Sequence, residues 1–190
     1  MDSRTIVFIH GGWVTPACWD PFVSFFEEKG YNCLAPAWPG KDRPVEAIRA
    51  DPSPLIGLGV GEIVDHYARI VRSLDEPPIL IGHSFGGLFV QLLLDRGLGA
   101  AGIAIDSAPP KGVFAFAPTT LLSLGRILLI PFAWRKVVRW SFTEFRYAFR
   151  SRDVAQRGAG HLGRAARAGL GPPILSGRLF DARSVESGAC

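Results

Sequence analysis

The stretch "PPILIGHSFGGLFVQLLL", residues 77 to 94, sets Ser84 between glycines where an apolar run gives way to a helix-like pattern. Its centre, "GHSFG", fits G-x-S-x-G, the arrangement that puts a serine on a sharp turn between a buried strand and a helix. Small residues must flank such a turn, and Gly82 and Gly86 supply them. The turn lifts the Ser84 hydroxyl off the end of a sheet. The following helix aims its first amides and positive dipole end at charge developing on a substrate oxygen. "FIHGGW", residues 8 to 13, adds a glycine turn directly after a strand-like run. A tetrahedral oxyanion takes two amide donors: one from the residue after the serine, Phe85, and one from such a turn, here Gly12 or Trp13. Glycine suits that turn because a backbone without a side chain can come close to a reacting carbonyl. These residue types at this spacing point to nucleophilic acyl transfer.

A serine hydroxyl is a poor nucleophile until a base takes its proton, and the base in this chemistry is a histidine held by a carboxylate. The chain has four histidines. His83 adjoins Ser84, and adjacent side chains on such a turn point apart. His10 belongs to the glycine turn and is expected to order it. His66 falls on the polar side of a helical pattern and reads as a surface residue. His161 alone lies downstream of Ser84.

The elements that must position these residues follow from hydrophobic spacing. "TIVFIH" (5 to 10) reads as a buried strand ending in a tight turn, and "PACWDPFVSFFEEKG" as a helix closed by Gly30. "YNCLAPAW" resumes as a strand, and "WPGKDRP" is a loop by its proline and glycine. From Val60 to Leu74, Ile63, Val64, Tyr67, Ile70, Val71 and Leu74 share one helical face, with Glu62, Asp65, Arg69 and Arg72 outward. "PPILIG" is an apolar strand, "GGLFVQLLLDRG" a helix capped by Gly97, and "AAGIAID" (100 to 106) a further buried strand. Apolar strands alternating with amphipathic helices predict an α/β fold with a parallel sheet covered on both faces.

Residues 1–110 form this core. Residues 111–150 change character, with proline-broken hydrophobic segments followed by "WRKVVRWSFTEFRYAFR", and are expected to form a helical lid. Half of residues 151–190 are Gly, Ala or Arg, and neither helical nor strand periodicity persists there. That is the composition of a GC-rich gene read in a shifted frame, so the native reading is expected to end near residue 150. The alternative is a natural, disordered basic tail.

A length of 190 residues, 48% of them hydrophobic and 20% charged, suits one globular domain. The formal charge of +4 resides mostly in arginines of the C-terminal half, which carry no nucleic-acid-binding motif. Cys18, Cys33 and Cys190 are an odd set without metal-like spacing, so reduced thiols and a cytoplasmic location are expected, with no metal. The amino terminus has too few apolar residues for a signal peptide. The stretch 112 to 134 is long enough to span a bilayer, but Pro118, Arg126 and Pro131 interrupt it. It reads as a buried or substrate-covering segment, with no membrane association expected.

Through "HGGW" at 10 to 13, "GHSFGG" at 82 to 87 and their spacing of about seventy residues, the chain resembles the α/β-hydrolase superfamily. It is most similar to small bacterial esterase-like members with a helical lid after the sixth strand. The resemblance covers residues 1 to about 150. It implies a serine-centred triad whose acid and histidine follow the nucleophile, with no cofactor. Asp106, at the end of the "GIAID" strand, stands where some members carry the acid, although "DSAPP" also suits a turn-forming aspartate. His161 would be the base, yet the two strands that precede the family's histidine are not visible between 150 and 161. The α/β-hydrolase fold is thus expected without its C-terminal strands.

The leading expectation is a serine hydrolase acting on an ester-like or other acyl small molecule through an acyl-enzyme at Ser84. Phe114, Phe116, Trp134 and Trp140 in the lid suggest a hydrophobic substrate. Two other readings stand beside it: a truncated hydrolase-fold chain that lacks the base and does not turn over, and, more weakly, a membrane-surface protein using residues 112 to 150. Dehalogenation in this fold takes an aspartate nucleophile, and this chain has Ser84.

Overall fold

A computed structural model describes residues 3–113, 136–139 and 174–176. The first strand, β1 (Thr5–Ile9), sends Val7 and Ile9 into one apolar cluster and Ile6 and Phe8 into another. A strand apolar on both faces must be covered on both, and parallel order follows from crossovers that lay helices on each side. β2 (Asn32–Leu34), β3 (Ile79–His83) and β4 (Ala101–Ile105) complete an all-parallel sheet in the order β2-β1-β3-β4.

One face is covered by α3 (Val60–Arg72) and α4 (Phe85–Asp95), the other by α1 (Asp20–Glu27) and the turn of helix Pro16–Trp19 before it. On α3 the buried residues are Val60, Ile63, Val64, Tyr67, Ala68 and Val71, while Glu62, Asp65, Arg69 and Arg72 face water, as the spacing predicts. The helix starts where the Gly59 N–H donates to the Glu62 carboxylate at 2.7 Å. Asp65 on its outer face takes Arg96, just past α4, at 2.6 Å. Within the α3–α4 cluster Phe89 is fully buried, with ring neighbours in Trp38, Tyr67 and Phe85.

Several expectations change. The strand at 100 to 106, expected to be buried, is exposed over most of β4, and Ile103 is 51% exposed. Gly102 does face α4, since a Cβ there would lie 2.5 Å from Leu94. On the opposite side, Ile105 packs against the Phe8–Trp19 cluster while Ile103 stays exposed, and among the described residues β4 is the edge of the four-stranded sheet. The loop after Trp38 contains a short helix, α2 (Val45–Ala50), started by Pro44 and seated by Ile48 against Leu55. Within the segment read as aperiodic, β6 (Ile174–Ser176) pairs antiparallel with β5 (Val137–Arg139), and Val138 joins the α3–α4 cluster.

The lid expected over 111–150 falls within the described residues only at 111–113 and 136–139, and the 151–190 segment only at 174–176. Phe114, Phe116, Trp134, Trp140 and most of the 112 to 134 stretch lie outside them. Among the described residues no helix is long and apolar enough to cross a membrane.

Truncating Phe89 removes a ring shared by α3, α4 and the loop after β2. Phe89→Ala is expected to lower unfolding free energy by about 3–5 kcal/mol in urea titration. Phe25→Ala, on the exposed side of α1, is expected to change it by less than about 1 kcal/mol.

Candidate active site

Ser84 stands between β3 and α4 with φ 58°, ψ −120°, outside the regions a serine ordinarily occupies. The surroundings that hold it there are backbone. Its N–H donates to the Ile105 carbonyl at 3.0 Å, and its carbonyl accepts from Gly87 at 3.0 Å, Leu88 at 3.3 Å and Ala108 at 3.0 Å. The flanking glycines answer to steric need. A Cβ at Gly82 would lie 2.2 Å from the Gly86 carbonyl oxygen, and one at Gly86 would lie 2.0 Å from that of Ile9. Both distances are far inside van der Waals contact, so the strand, the turn and β1 fit together only without side chains at these two places.

The glycine turn after β1 lies against this elbow. A Cβ at Gly11 would sit 3.3 Å from Ser84 Cβ and 3.6 Å from His83 Nδ1. Gly11, Gly12 and Trp13 are buried, and Phe85 heads α4. The structure therefore brings Ser84, Phe85 and the Gly12–Trp13 turn together at the carboxyl ends of β1 and β3.

His10 orders that turn, as its position suggests. It is fully buried and stacked on Trp38 with ring centroids 5.1 Å apart. Its Nδ1–H donates to the Gly11 carbonyl at 2.8 Å, and its Nε2 accepts the Trp38 amide at 3.3 Å. The Trp38 indole N–H returns to the His10 carbonyl at 3.2 Å. Burial, aided by the charge of Lys41, holds the imidazole pKa well below its ordinary value, so the ring is neutral. His66, expected on the surface, is half-buried and donates from Nε2 to the Ala37 carbonyl at 3.0 Å, with the Tyr67 hydroxyl donating to Pro36 at 2.9 Å. α3 thus pins the loop that follows β2, which periodicity could not show.

His83 is half-buried beside the glycine turn. Burial lowers its pKa, and the nearby Asp106 carboxylate opposes that shift. Asp106 ends β4 in the left-handed region, φ 43°, and is exposed. It stands one residue beyond Ile105, whose carbonyl holds Ser84. His161, expected as the base, lies outside the described residues. Among the described residues no group of three or more His, Cys, Asp or Glu could hold a metal ion.

Sequence reasoning missed Lys41, read only as part of a loop. Its ammonium is buried beneath the glycine turn, where Nζ donates to the carbonyls of Gly12 and, at 3.1 Å, of Val14. It lies 4.6 Å from the centre of the Trp38 ring. Burial lowers its pKa to about 7, against a smaller opposing effect from Cys18. Burial and Asp20 push the Cys18 thiol up to about 12.

A serine in a strained strand–helix elbow beside a glycine turn, on a parallel sheet with helices on both faces, defines a hydrolase architecture. Residues 6–183 match the alpha/beta hydrolase family, and the chain belongs to it. The match runs further into the C-terminal segment than the motifs do. Over 91 residues, 45% of the chain, it is 33% identical to a non-heme chloroperoxidase of Burkholderia pyrrocinia, a stretch that spans 29% of that relative's length. Among solved structures, an extracellular alpha/beta-hydrolase from a Paenibacillus species superposes with a TM-score of 0.64 at 22% identity, covering 95% of this chain and 72% of that one. That enzyme is described as sharing structural and functional homology with tobacco salicylic acid binding protein 2. The pyrethroid hydrolase PytH superposes with a TM-score of 0.63 at 22% identity, covering 93% of this chain and 69% of that one.

Two outcomes follow for stability. Gly86→Ala drives a methyl into the Ile9 carbonyl and is expected to cost roughly 3 kcal/mol or more in thermal or urea unfolding. The second concerns pH. Lys41 holds its proton up to an ordinary 10.5 when unfolded but only below about 7 when folded. The unfolded chain therefore binds the extra proton above pH 7, and stability rises with pH from there. The Cys18 thiol, which ionises above its ordinary 9.0 in the unfolded chain and not in the folded one, cancels that rise above pH 9 and reverses it only above 10.5, where Lys41 has lost its proton in both states. Urea titrations should show a gain of about 2–3 kcal/mol between pH 7 and 9, and Lys41→Met should abolish it.

Proposed function

We propose that this chain is a serine hydrolase acting on a small, hydrophobic ester or related acyl compound through an acyl-enzyme at Ser84. The observation that carries the reading is the elbow: φ 58° at Ser84, with Gly82 and Gly86 packed too closely for any side chain and the Gly11–Trp13 turn against its Cβ. A serine kept only for packing has no need of a left-handed backbone, which costs of order 1–3 kcal/mol and recurs at functional sites.

In the proposed reaction the Ser84 Oγ attacks the substrate carbonyl carbon as its proton passes to a base. Negative charge moves to the carbonyl oxygen, which the Phe85 N–H and the Gly12 or Trp13 N–H would receive. Collapse of the intermediate expels the alcohol, which takes up the proton, and water then releases the acid from Ser84. Asp106 and His161 are the proposed acid and base. The Asp106 assignment draws on its place at the end of β4, beside the residue that holds the elbow. Hydrophobic substrates are favoured by the aromatic residues of the proposed lid, and a pyrethroid hydrolase is among the proteins of like fold. A cytoplasmic location remains part of the proposal.

A second reading, a hydrolase-fold chain without turnover, draws on the partly uncovered side of β4, where Ile103 is half exposed. Both are decided by hydrolysis of p-nitrophenyl butyrate. The leading reading expects turnover that falls at least about 1,000-fold in Ser84→Ala and by a similar factor in His161→Ala. Turnover that survives Ser84→Ala overturns the nucleophile, and loss on both substitutions overturns the reading without turnover.

A further inference from the structure

Lys41 is a buried ammonium whose Nζ donates to two backbone carbonyls, with an indole face nearby and no carboxylate among its hydrogen-bond partners within the described residues. Taking a charge out of water for packing alone is unfavourable, and an apolar residue of similar length would fill the space more cheaply. What the ammonium does that an apolar side chain cannot is orient peptide groups. Peptide bonds here are trans, so the C=O and N–H of one peptide plane point in opposite directions. The Gly12 carbonyl shares its plane with the Trp13 N–H. Turning that carbonyl onto Lys41 turns the Trp13 N–H away from it. The preceding plane is held in the same way, because His10 holds the Gly11 carbonyl and so directs the Gly12 N–H.

Lys41 is itself firmly placed. Its backbone N–H donates to the Trp38 carbonyl at 2.9 Å, closing the turn. Gly40 takes φ 78° within it, and a Cβ there would lie 3.1 Å from Pro54. Trp38 is gripped by His10 and packs edge-on against Phe89 of α4, the helix that begins beside Ser84. The groups that face the ammonium are the neutral His10 ring and the Cys18 thiol, which stays protonated through the neutral range.

We propose that Lys41 is a positioning residue of the oxyanion turn: by holding the Gly12 and Val14 carbonyls from beneath, it sets the direction of the Trp13 N–H toward the acyl oxygen above Ser84. Its charge at the carbonyl end also polarises that peptide, making the N–H a stronger donor. Lys41 does not touch the substrate. The role rests on the acyl-transfer reading of Ser84, with Trp13 supplying the amide that the sequence left open between Gly12 and Trp13.

The test compares wild type with Lys41→Met at matched global stability, which urea titration establishes. Amide exchange, followed by NMR, is expected to quicken at least about tenfold at Trp13 to Thr15 in Lys41→Met, with α4 amides unchanged. In the wild type the Trp13 and Thr15 amide resonances should titrate together with a midpoint near pH 7, and this titration should vanish in the variant. Phosphonylation of Ser84 by a p-nitrophenyl phosphonate, in which the hydroxyl attacks phosphorus and p-nitrophenolate leaves, should slow by about 10- to 100-fold, with saturation by the reagent little changed. Turn amides that behave identically in the two proteins overturn the role of Lys41, whatever Ser84 does. So does a phosphonate rate that does not fall. A wild-type Ser84 that the phosphonate never modifies overturns the acyl-transfer reading itself, and the positioning role with it, while the amide data still show whether Lys41 holds the turn.

Discussion

Everything about the candidate site depends on one close approach of backbone to backbone. At Gly86, the first turn of α4 comes so near the end of β1 that a single methyl would lie 2.0 Å from the Ile9 carbonyl oxygen. At Gly82, the strand and helix that meet at Ser84 leave no more room. Because β1, β3 and α4 converge to this degree, the turn after β1 lies against the serine. A wider crossing would tolerate side chains and would separate the parts. The cost is concentrated at Ser84, whose backbone is held in a poorly populated conformation by four main-chain hydrogen bonds.

A second layer of polar contacts lies beneath the turn. His10, Trp38 and Lys41 each bind backbone groups of the glycine turn or of one another, and His66 and Tyr67 tie the start of the same loop to α3. These groups are largely buried, so each needs its partner; a half-satisfied network would be worse than an apolar one. The arrangement explains how a turn with two consecutive glycines, intrinsically loose, can stay ordered. Its rigidity comes from residues up to 29 positions away in the chain.

That separation divides what could be read in the sequence from what could not. The elbow was legible because its requirement is local: Gly82, Ser84 and Gly86 answer to one turn, and the strand and helix on either side announce themselves by composition. The α3 face was legible for the same reason, through 3.6-residue spacing. Lys41 was not, because nothing in "WPGKDRP" indicates that its ammonium meets carbonyls 27 and 29 residues earlier. His66 was assigned to water because periodicity describes the helix and not the loop that arrives over it. β4 failed differently. The apolar run "AGIAI" says what a strand can bury, whereas its exposure reflects its place at the edge of the four described strands. Asp106 was legible only as the residue at a strand end, and it is found there, exposed, at φ 43°.

The bond from the Ser84 N–H to the Ile105 carbonyl, with that from Ala108 to the Ser84 carbonyl, also bears on the order of assembly. Synthesis delivers β3 and α4 before β4, so the turn between them emerges before the residues that hold it. Until the chain has extended past Ala108 and the edge strand has docked, the left-handed serine keeps only the two bonds from Gly87 and Leu88 at the start of α4 and lacks the two that come from β4 and the turn after it. The full set of bonds around Ser84 is therefore among the last features of this half of the sheet to form. It should also be among the first to relax when β4 lifts away, so the lifetime of the strained conformation is set at the margin of the sheet and not at its centre.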